Sequence, residues 1–391
     1  RPGAPADGGR GVGPVTDDDT RRRGAPREVA LLFLRLGVTA FGGPAAHTAM
    51  MHDEVVRRRR WLSDERFVDL VGATNLIPGP NSTELAILIG WERARGRGLV
   101  LAGVCFILPA AVVVGGLAWM YVEYGETPAF EGILYGIKPV VIAIIVHALV
   151  RLVPTAATTP FLAALAAGAA VAYLAGVNEL VVLAAGGILA VGGHVARSSR
   201  TDRLSAWLPF GAVAPGADVE LGQVFLVFLK IGAVLYGSGY VLLAFLDGEL
   251  VDRLGWLTTD QLLEAVSIGQ VTPGPVFTTA TFVGYLVGGF WGAVLATVGI
   301  FLPSFIFVAL LTRIVRWLRS SPRLGAALDG LNATAIGLIA GVSWPLARDA
   351  IVDPLTVAVA VGAGVVLWRT RLNSAWLIAG GAAIGSIATS V

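Results

Sequence analysis

Residues 33–80 recur, with changes, at 228–275, and the offset is a constant 195 residues without a gap. FLRLGVTAFGG from Phe33 aligns with FLKIGAVLYGS from Phe228, and NLIPGP ending at Pro80 aligns with QVTPGP ending at Pro275. Arg-Arg-Trp-Leu ending at Leu62 meets Leu-Gly-Trp-Leu ending at Leu257. At an offset of 194 the match continues, pairing Leu108-Pro109 with Leu302-Pro303. A duplicated chain folds as two versions of one unit. Each version here carries a Pro-Gly-Pro that interrupts any helix, because proline removes a backbone donor and clashes with the preceding turn. In an apolar chain, matched breaks of this kind imply a carrier whose substrate site forms where the broken helices of the two halves meet.

Of the 391 residues, 55% are hydrophobic and 14% charged, against roughly 25% charged in a soluble domain. The mean hydropathy is +0.74. The 50 glycines suit closely packed transmembrane helices. Cys105 is the only cysteine and reads as a small buried residue, which excludes a disulfide framework and a cysteine metal site. There is no nucleotide-binding loop, no GxSxG and no HExxH, so no catalytic machinery, cofactor or metal is expected. Arg57–Arg60 is a topology signal rather than a nucleic-acid site.

Four units follow along the chain. Residues 1–27 are polar and expected to be disordered, 28–200 form the first repeat, 201–219 a linker and 220–391 the second repeat. Each repeat opens with a helix, at 28–50 and 221–243, followed by two short arms around Pro-Gly-Pro, 64–77 with 81–91 and 259–272 with 276–287. Long apolar segments then lie at 98–121, 132–152, 159–176 and 178–195, and at 291–314, 324–346, 350–368 and 374–391. Arms too short to cross about 30 Å of hydrocarbon form re-entrant hairpins. Basic flanks (Arg57–Arg60, then Arg93, Arg95 and Arg97) put the first hairpin on the cytoplasmic side, and the acidic loop 123–131 lies outside. The acidic loop 247–252 puts the second hairpin on the outer side. The expectation is an all-α integral membrane protein, an inverted-topology repeat of about ten transmembrane helices plus two re-entrant hairpins. Arg21–Arg23 and Arg27 then lie outside, against the charge rule. The alternative is a first helix that breaks at Gly42-Gly43-Pro44 and does not cross.

Arg35 and Lys230 are repeat equivalents inside the first helices. A cation there faces a cavity or a partner, and two related by a pseudo-two-fold axis suit a small dianion. Snorkelling, or pairing with Glu84 or Asp69, is the simpler reading. The breaks Pro78-Gly79-Pro80 and Pro273-Gly274-Pro275 create helix N-termini whose free N–H groups attract anions. Asn75 and Gln270 precede them, and Asn81, Ser82, Thr83, Thr278 and Thr279 follow. Those hydroxyls either donate to an oxyanion or cap their own helix. Gly42 and Gly43 complete the expected binding set.

Five residues are read as proton-coupling or gating. Glu84 stands opposite Thr279 and breaks the symmetry, which makes it a candidate proton carrier. His47 is the candidate that titrates near neutrality, although a lone histidine is commonly structural. Glu54 and Glu249 either gate or pair with Arg58 and Arg253, and the ion pairs are favoured. Lys138, opposite Asn332, is a further anion contact or gate. His147 is taken as structural.

FGGPAAHTAMMHDEVV at Phe41, RRWLSDERF at Arg59, NLIPGPNSTELAILIG at Asn75, GQVTPGP at Gly269 and FLPSF at Phe301 together resemble the chromate ion transporter family in its long, two-domain form. The resemblance covers nearly everything after residue 27. It implies chromate export from a bacterial cytoplasm across the inner membrane, powered by the proton motive force, with sulfate as the competing oxyanion. The matching positions are 41–44, His47, Glu54, Trp61, 75–83 and the second Pro-Gly-Pro. The second half reads YGSGY where the first reads FGGPAAH, so the first half carries more of the chemistry. The expected partners are the oxyanion, protons and the bilayer, with no nucleic acid and with a homodimer admitted. A sulfate or oxyanion exchanger on the same scaffold is the first alternative. A lipid-phosphate phosphatase built on Ser82, Glu84 and Arg35 is a remote one, and a passive channel is a further option.

Overall fold

The computed structural model describes residues 17–41, 43–125, 127–197, 220–236, 239–318, 322–370 and 372–390, and they are helical throughout, with no strand among them. The 201–219 linker and Gly42 lie outside the described residues. The first half comprises α1 (Asp17–Thr39), α2 (Gly43–His52), α3 (Asp64–Thr74), α4 (Asn81–Tyr124), α5 (Pro128–Ala156), α6 (Pro160–Leu174) and α7 (Glu179–Arg197). The second repeats it as α8 (Leu221–Val234), α9 (Val241–Leu246), α10 (Thr259–Val271), α11 (Thr279–Leu318), α12 (Pro322–Ala350), α13 (Pro354–Arg369) and α14 (Ser374–Ser390). A π-helical turn continues α2 through Asp53–Arg58 and α9 through Asp247–Arg253.

The expected single helices over 28–50 and 221–243 are corrected. Each is broken, between Thr39 and Gly43 in one half and between Val234 and Val241 in the other. Glycine-rich FGGP and YGSGY account for the breaks, and Gly43 has a φ of 77°. The first helix also starts at Asp17 rather than at residue 28.

Both hairpins begin on a hydroxyl cap. Ser63 accepts from the Arg66 N–H, and its equivalent Thr258 forms a full capping box with Gln261. At the tips, Gly79 (φ 134°) and Gly274 (φ 96°) adopt backbone that side chains disfavour. The Gly79 N–H donates to the Leu235 carbonyl at 2.8 Å, and the Gly274 N–H donates to the Ala40 carbonyl at 2.8 Å. These bonds are repeat equivalents. Each ties the Pro-Gly-Pro tip of one half to the broken first helix of the other.

Beyond the tips, α4 and α11 each fold back on themselves. The turns fall at Ala94-Arg95 and Gly288-Gly289, where the dihedrals leave the helical region. Glycines let the limbs touch: a Cβ on Gly90 would meet the Gly98 carbonyl oxygen at 2.2 Å, and one on Gly284 would meet that of Gly292 at 2.4 Å. Each hairpin arm therefore leads straight into a long apolar helix.

The closing helices are exchanged between halves. α5 packs on α13 and α14, while its equivalent α12 packs on α6 and α7. Small residues drive the crossing of α5 with α14, where Gly132 and Gly136 face Gly385 and Gly381 backbone to backbone. Val112, Ile188, Val361, Trp368, Trp376 and Ile387 point outward at 60–73% exposure, a surface that only lipid suits. Four helices are long and apolar enough to cross a membrane, at 81–124, 130–156, 276–312 and 325–350, and five shorter apolar helices accompany them. Length alone therefore supports four crossings, and the count of ten rests on the charge pattern.

Candidate substrate cavity

The crossed tips enclose a cavity of about 550 Å³. Its first-half wall is the start of α2, the tip of the first hairpin and the last third of α5; Gly239, Tyr240, Val276 and Phe277 come from the second half, with the middle of α12. Its polar groups include His47, Asn75, Asn81, Ser82, His147, Arg151 and Asn332, and no Asp or Glu lines it among the described residues. α2 and α4 both begin at this wall, so their unbonded first-turn N–H groups lie beside it. A cavity with an arginine, two histidines, helix N-termini and no carboxylate is electrostatically suited to an anion.

Not every expected residue is here. The pairing of Arg35 and Lys230 around one anion is corrected, because neither lines the cavity. Arg35 lies 3.5 Å from Glu54, which also pairs with Arg58 at 3.1 Å and Arg59 at 3.3 Å. Lys230 lies 2.9 Å from Glu249, which also binds Arg253. The two clusters are repeat equivalents set on the π-helical turns. Their carboxylates neutralise the cations that the dianion was expected to use.

The Thr278 hydroxyl donates to the Pro275 carbonyl at 2.7 Å, and the Thr279 hydroxyl to the Val276 carbonyl at 2.8 Å. Both donate to carbonyls within their own turn and cap no free N–H. Thr83 is fully buried with an unpartnered hydroxyl, and the Gln270 amide nitrogen is likewise unpartnered and lies off the cavity wall. Pro80 is on the wall, whereas Pro78, Gly79, Pro273, Gly274 and Pro275 form the tips behind it. The Asn81 amide donates to the Asn75 side-chain oxygen at 2.9 Å and clamps the first tip.

His47 is buried and joins both readings. Its Nε2 lies 3.1 Å from the Ala40 carbonyl oxygen, which also accepts from Gly274. A carbonyl only accepts, so Nε2 carries the proton. Nδ1 has no partner, and the ring lies edge-on to Phe106. Glu84 is wholly buried behind the tip, beside Ser304 and Gly79, and neither carboxylate oxygen has a hydrogen-bond partner. Ser82 on the cavity wall, Glu84 behind it and Arg35 on Glu54 are thus not brought together as phosphoryl chemistry requires.

A second cavity, of about 590 Å³, lies at the opposite end of α5. Glu131, Asp260, Glu264 and Asp349 make it acidic, and Lys138 closes it toward the hairpin. Lys138 Nζ is 2.6 Å from Asp260 and 3.0 Å from Glu264, and the Tyr121 hydroxyl donates to Glu264 at 2.5 Å. These contacts latch α10 to α4 and α5. In the other half the equivalent of Lys138 is Asn332, on the central cavity, and the equivalents of Asp260 and Glu264 are Glu65 and Asp69. Sequence reasoning missed Arg151, His147 and Asn332 as cavity residues. The available signal was asymmetry, since Arg151 and His147 stand opposite Pro345 and Gly341.

An apolar exterior, two crossed and interrupted repeats and a polar cavity at their tips define an all-helical, internally duplicated membrane protein. The chain belongs to the chromate transporter family, whose sequence model, described as "Chromate transporter", matches residues 27–191 and 222–386. It is 32% identical over 372 residues to a chromate transport protein of Cupriavidus metallidurans, covering 93% of each chain. It is 35% identical to a chromate transport protein of Pseudomonas aeruginosa over 87% of each chain. A probable chromate transport protein of Synechococcus elongatus is 29% identical over 88% of this chain and 95% of its own. No solved structure matches the chain.

Proposed function

We propose that the protein exports chromate across the inner membrane of a bacterium, coupled to the proton motive force, by alternating access. The observation that carries this reading is the acid-free cavity at the crossed helix breaks. Chromate is a tetrahedral dianion near neutrality, and N–H groups, a hydroxyl, amides and a guanidinium are the donors it needs. Relatives named for chromate transport support the choice of substrate.

The charge pattern puts the Arg151 end of α5 in the cytoplasm and the acidic end outside. The described arrangement is then inward-facing, with Lys138, Asp260, Glu264 and Tyr121 as the outer latch. Turnover breaks that latch and brings the first hairpin against α12. Glu84 is suited to carry the coupling proton, because it is buried against a Pro-Gly-Pro tip and has no ion-pair partner among the described residues. His47, bonded to the crossed tip, relays the tip's movement to the cavity.

Radiolabelled chromate flux in inverted membrane vesicles tests this. Accumulation should require the proton gradient, collapse with an uncoupler and fall under excess sulfate. Accumulation that ignores the gradient but follows counter-sulfate makes the protein an oxyanion exchanger instead. No chromate flux from folded protein ends the chromate reading.

A further inference from the structure

The central cavity does not end at the hairpin tips. A smaller cavity of about 430 Å³, lined by His147, Arg151, Leu367, Thr370 and Leu372, adjoins it. His147 and Arg151 line both.

Arg151 differs from the three cations that the sequence placed in binding or gating roles. Arg35, Lys138 and Lys230 are each within 3.5 Å of a carboxylate. Arg151 makes no ion pair among the described residues, and its side chain is exposed. Among the described residues, neither cavity that it lines contains an acid. His147, one turn earlier on α5, meets the Trp368 ring of α13 edge-on at 5.9 Å between ring centres. Across the cavity, Asn332 occupies the position where the repeat mate has Lys138. The second half has proline and glycine where Arg151 and His147 stand, so this cation exists at one end of the carrier only.

We infer that Arg151, positioned beside His147, is the charge-selecting residue at the neck of the substrate cavity, and that it favours divalent over monovalent tetrahedral oxyanions. A guanidinium with no carboxylate partner keeps its charge and its planar fork available to a passing oxyanion. Coulomb attraction doubles from a monoanion to a dianion of the same shape. Helix N-termini add attraction but carry only partial charge, so the full charge in the neck provides most of the discrimination. The inference rests on the reading of the protein as an oxyanion carrier.

The test uses full-length protein in inverted vesicles. Chromate uptake is measured in wild type, Arg151→Lys, Arg151→Gln and Arg151→Ala, with sulfate and perchlorate as tetrahedral competitors of charge two and one. Loss of a charge-assisted contact should raise KM for chromate about tenfold in Arg151→Gln and Arg151→Ala, with a smaller change in maximal rate. Sulfate should lose most of its advantage over perchlorate in both. Arg151→Lys should retain the preference at a weaker KM. Because Arg151 is exposed and unpaired, the variants should fold, which thermal unfolding in detergent checks. Wild-type KM and wild-type sulfate preference in folded Arg151→Gln or Arg151→Ala overturn the inference. A wild-type protein that carries no oxyanion overturns the underlying reading instead.

Discussion

Glu84 sits one turn past Pro-Gly-Pro, wholly buried, with the tip glycine and Ser304 against its carboxyl and no partner on either oxygen. An unpaired charge in that place is expensive, so the group is suited to move a proton rather than to hold a charge. Glu84→Gln keeps the shape and removes the exchangeable proton. The expected result is loss of gradient-driven chromate accumulation with chromate–chromate exchange retained. Exchange and accumulation falling together would instead make Glu84 a packing residue. At this scale the sequence was partly legible. Asn75, Asn81 and Ser82 were found because a repeated break announces a helix N-terminus. Arg151 was not, because which helix closes the cavity depends on an exchange of helices between halves that no local pattern encodes. Arg35 and Lys230 misled for a related reason: their partners Glu54 and Glu249 lie beyond helix breaks that straight helices would not have.

Among the elements, the two fold-back turns offer a comparison inside one molecule. The second half turns at Gly288-Gly289, where Gly289 has a φ of 61°. The first half turns at Ala94-Arg95, and Arg95 takes φ 51° and ψ −139°. That region is close to glycine-only and costs a side chain about 1–3 kcal/mol. The Arg95 guanidinium lies 5.7 Å from the Trp91 ring centre, a cation–π contact worth about 0.5–1 kcal/mol at an exposed site. The strain exceeds the contact. Arg95→Gly should therefore raise stability by about 1 kcal/mol, seen as a higher Tm in detergent; a lower Tm would mean that the turn relaxes more easily than its dihedrals imply. The hairpins were legible as elements, because a Pro-Gly-Pro marks the tip of each. The break in the first half was visible only as an alternative and that in the second half was missed, since FGGP and YGSGY permit a break without demanding one.

For the whole molecule, the crossed repeats make the two ends nearly equivalent in framework, so under the proposed alternating access small differences decide which end is open. The largest is Lys138 against Asn332. Lys138 bonds Asp260 and Glu264 and holds α10 to α5, while the equivalent position in the other half is the uncharged Asn332. Glu264 is only 10% exposed, so removing Lys138 strands a buried acid that opening would hydrate. Lys138→Asn makes the two ends alike and should shift the balance toward the outward-open state. A loss of about 1.4 kcal/mol moves that equilibrium about tenfold. The readout is a single cysteine at Asp349, on the acidic cavity, in a Cys105→Ser background. In right-side-out vesicles its reaction with an impermeant maleimide should be several-fold faster with Lys138→Asn than without. Adding Asn332→Lys to Lys138→Asn should speed that reaction further, because a latch gained at the cytoplasmic end favours the same outward-open state. Equal labelling rates in all of these proteins would show that the lysine is a static surface pair, and that the open end is set by the packing of α10 against α5 and α14 alone.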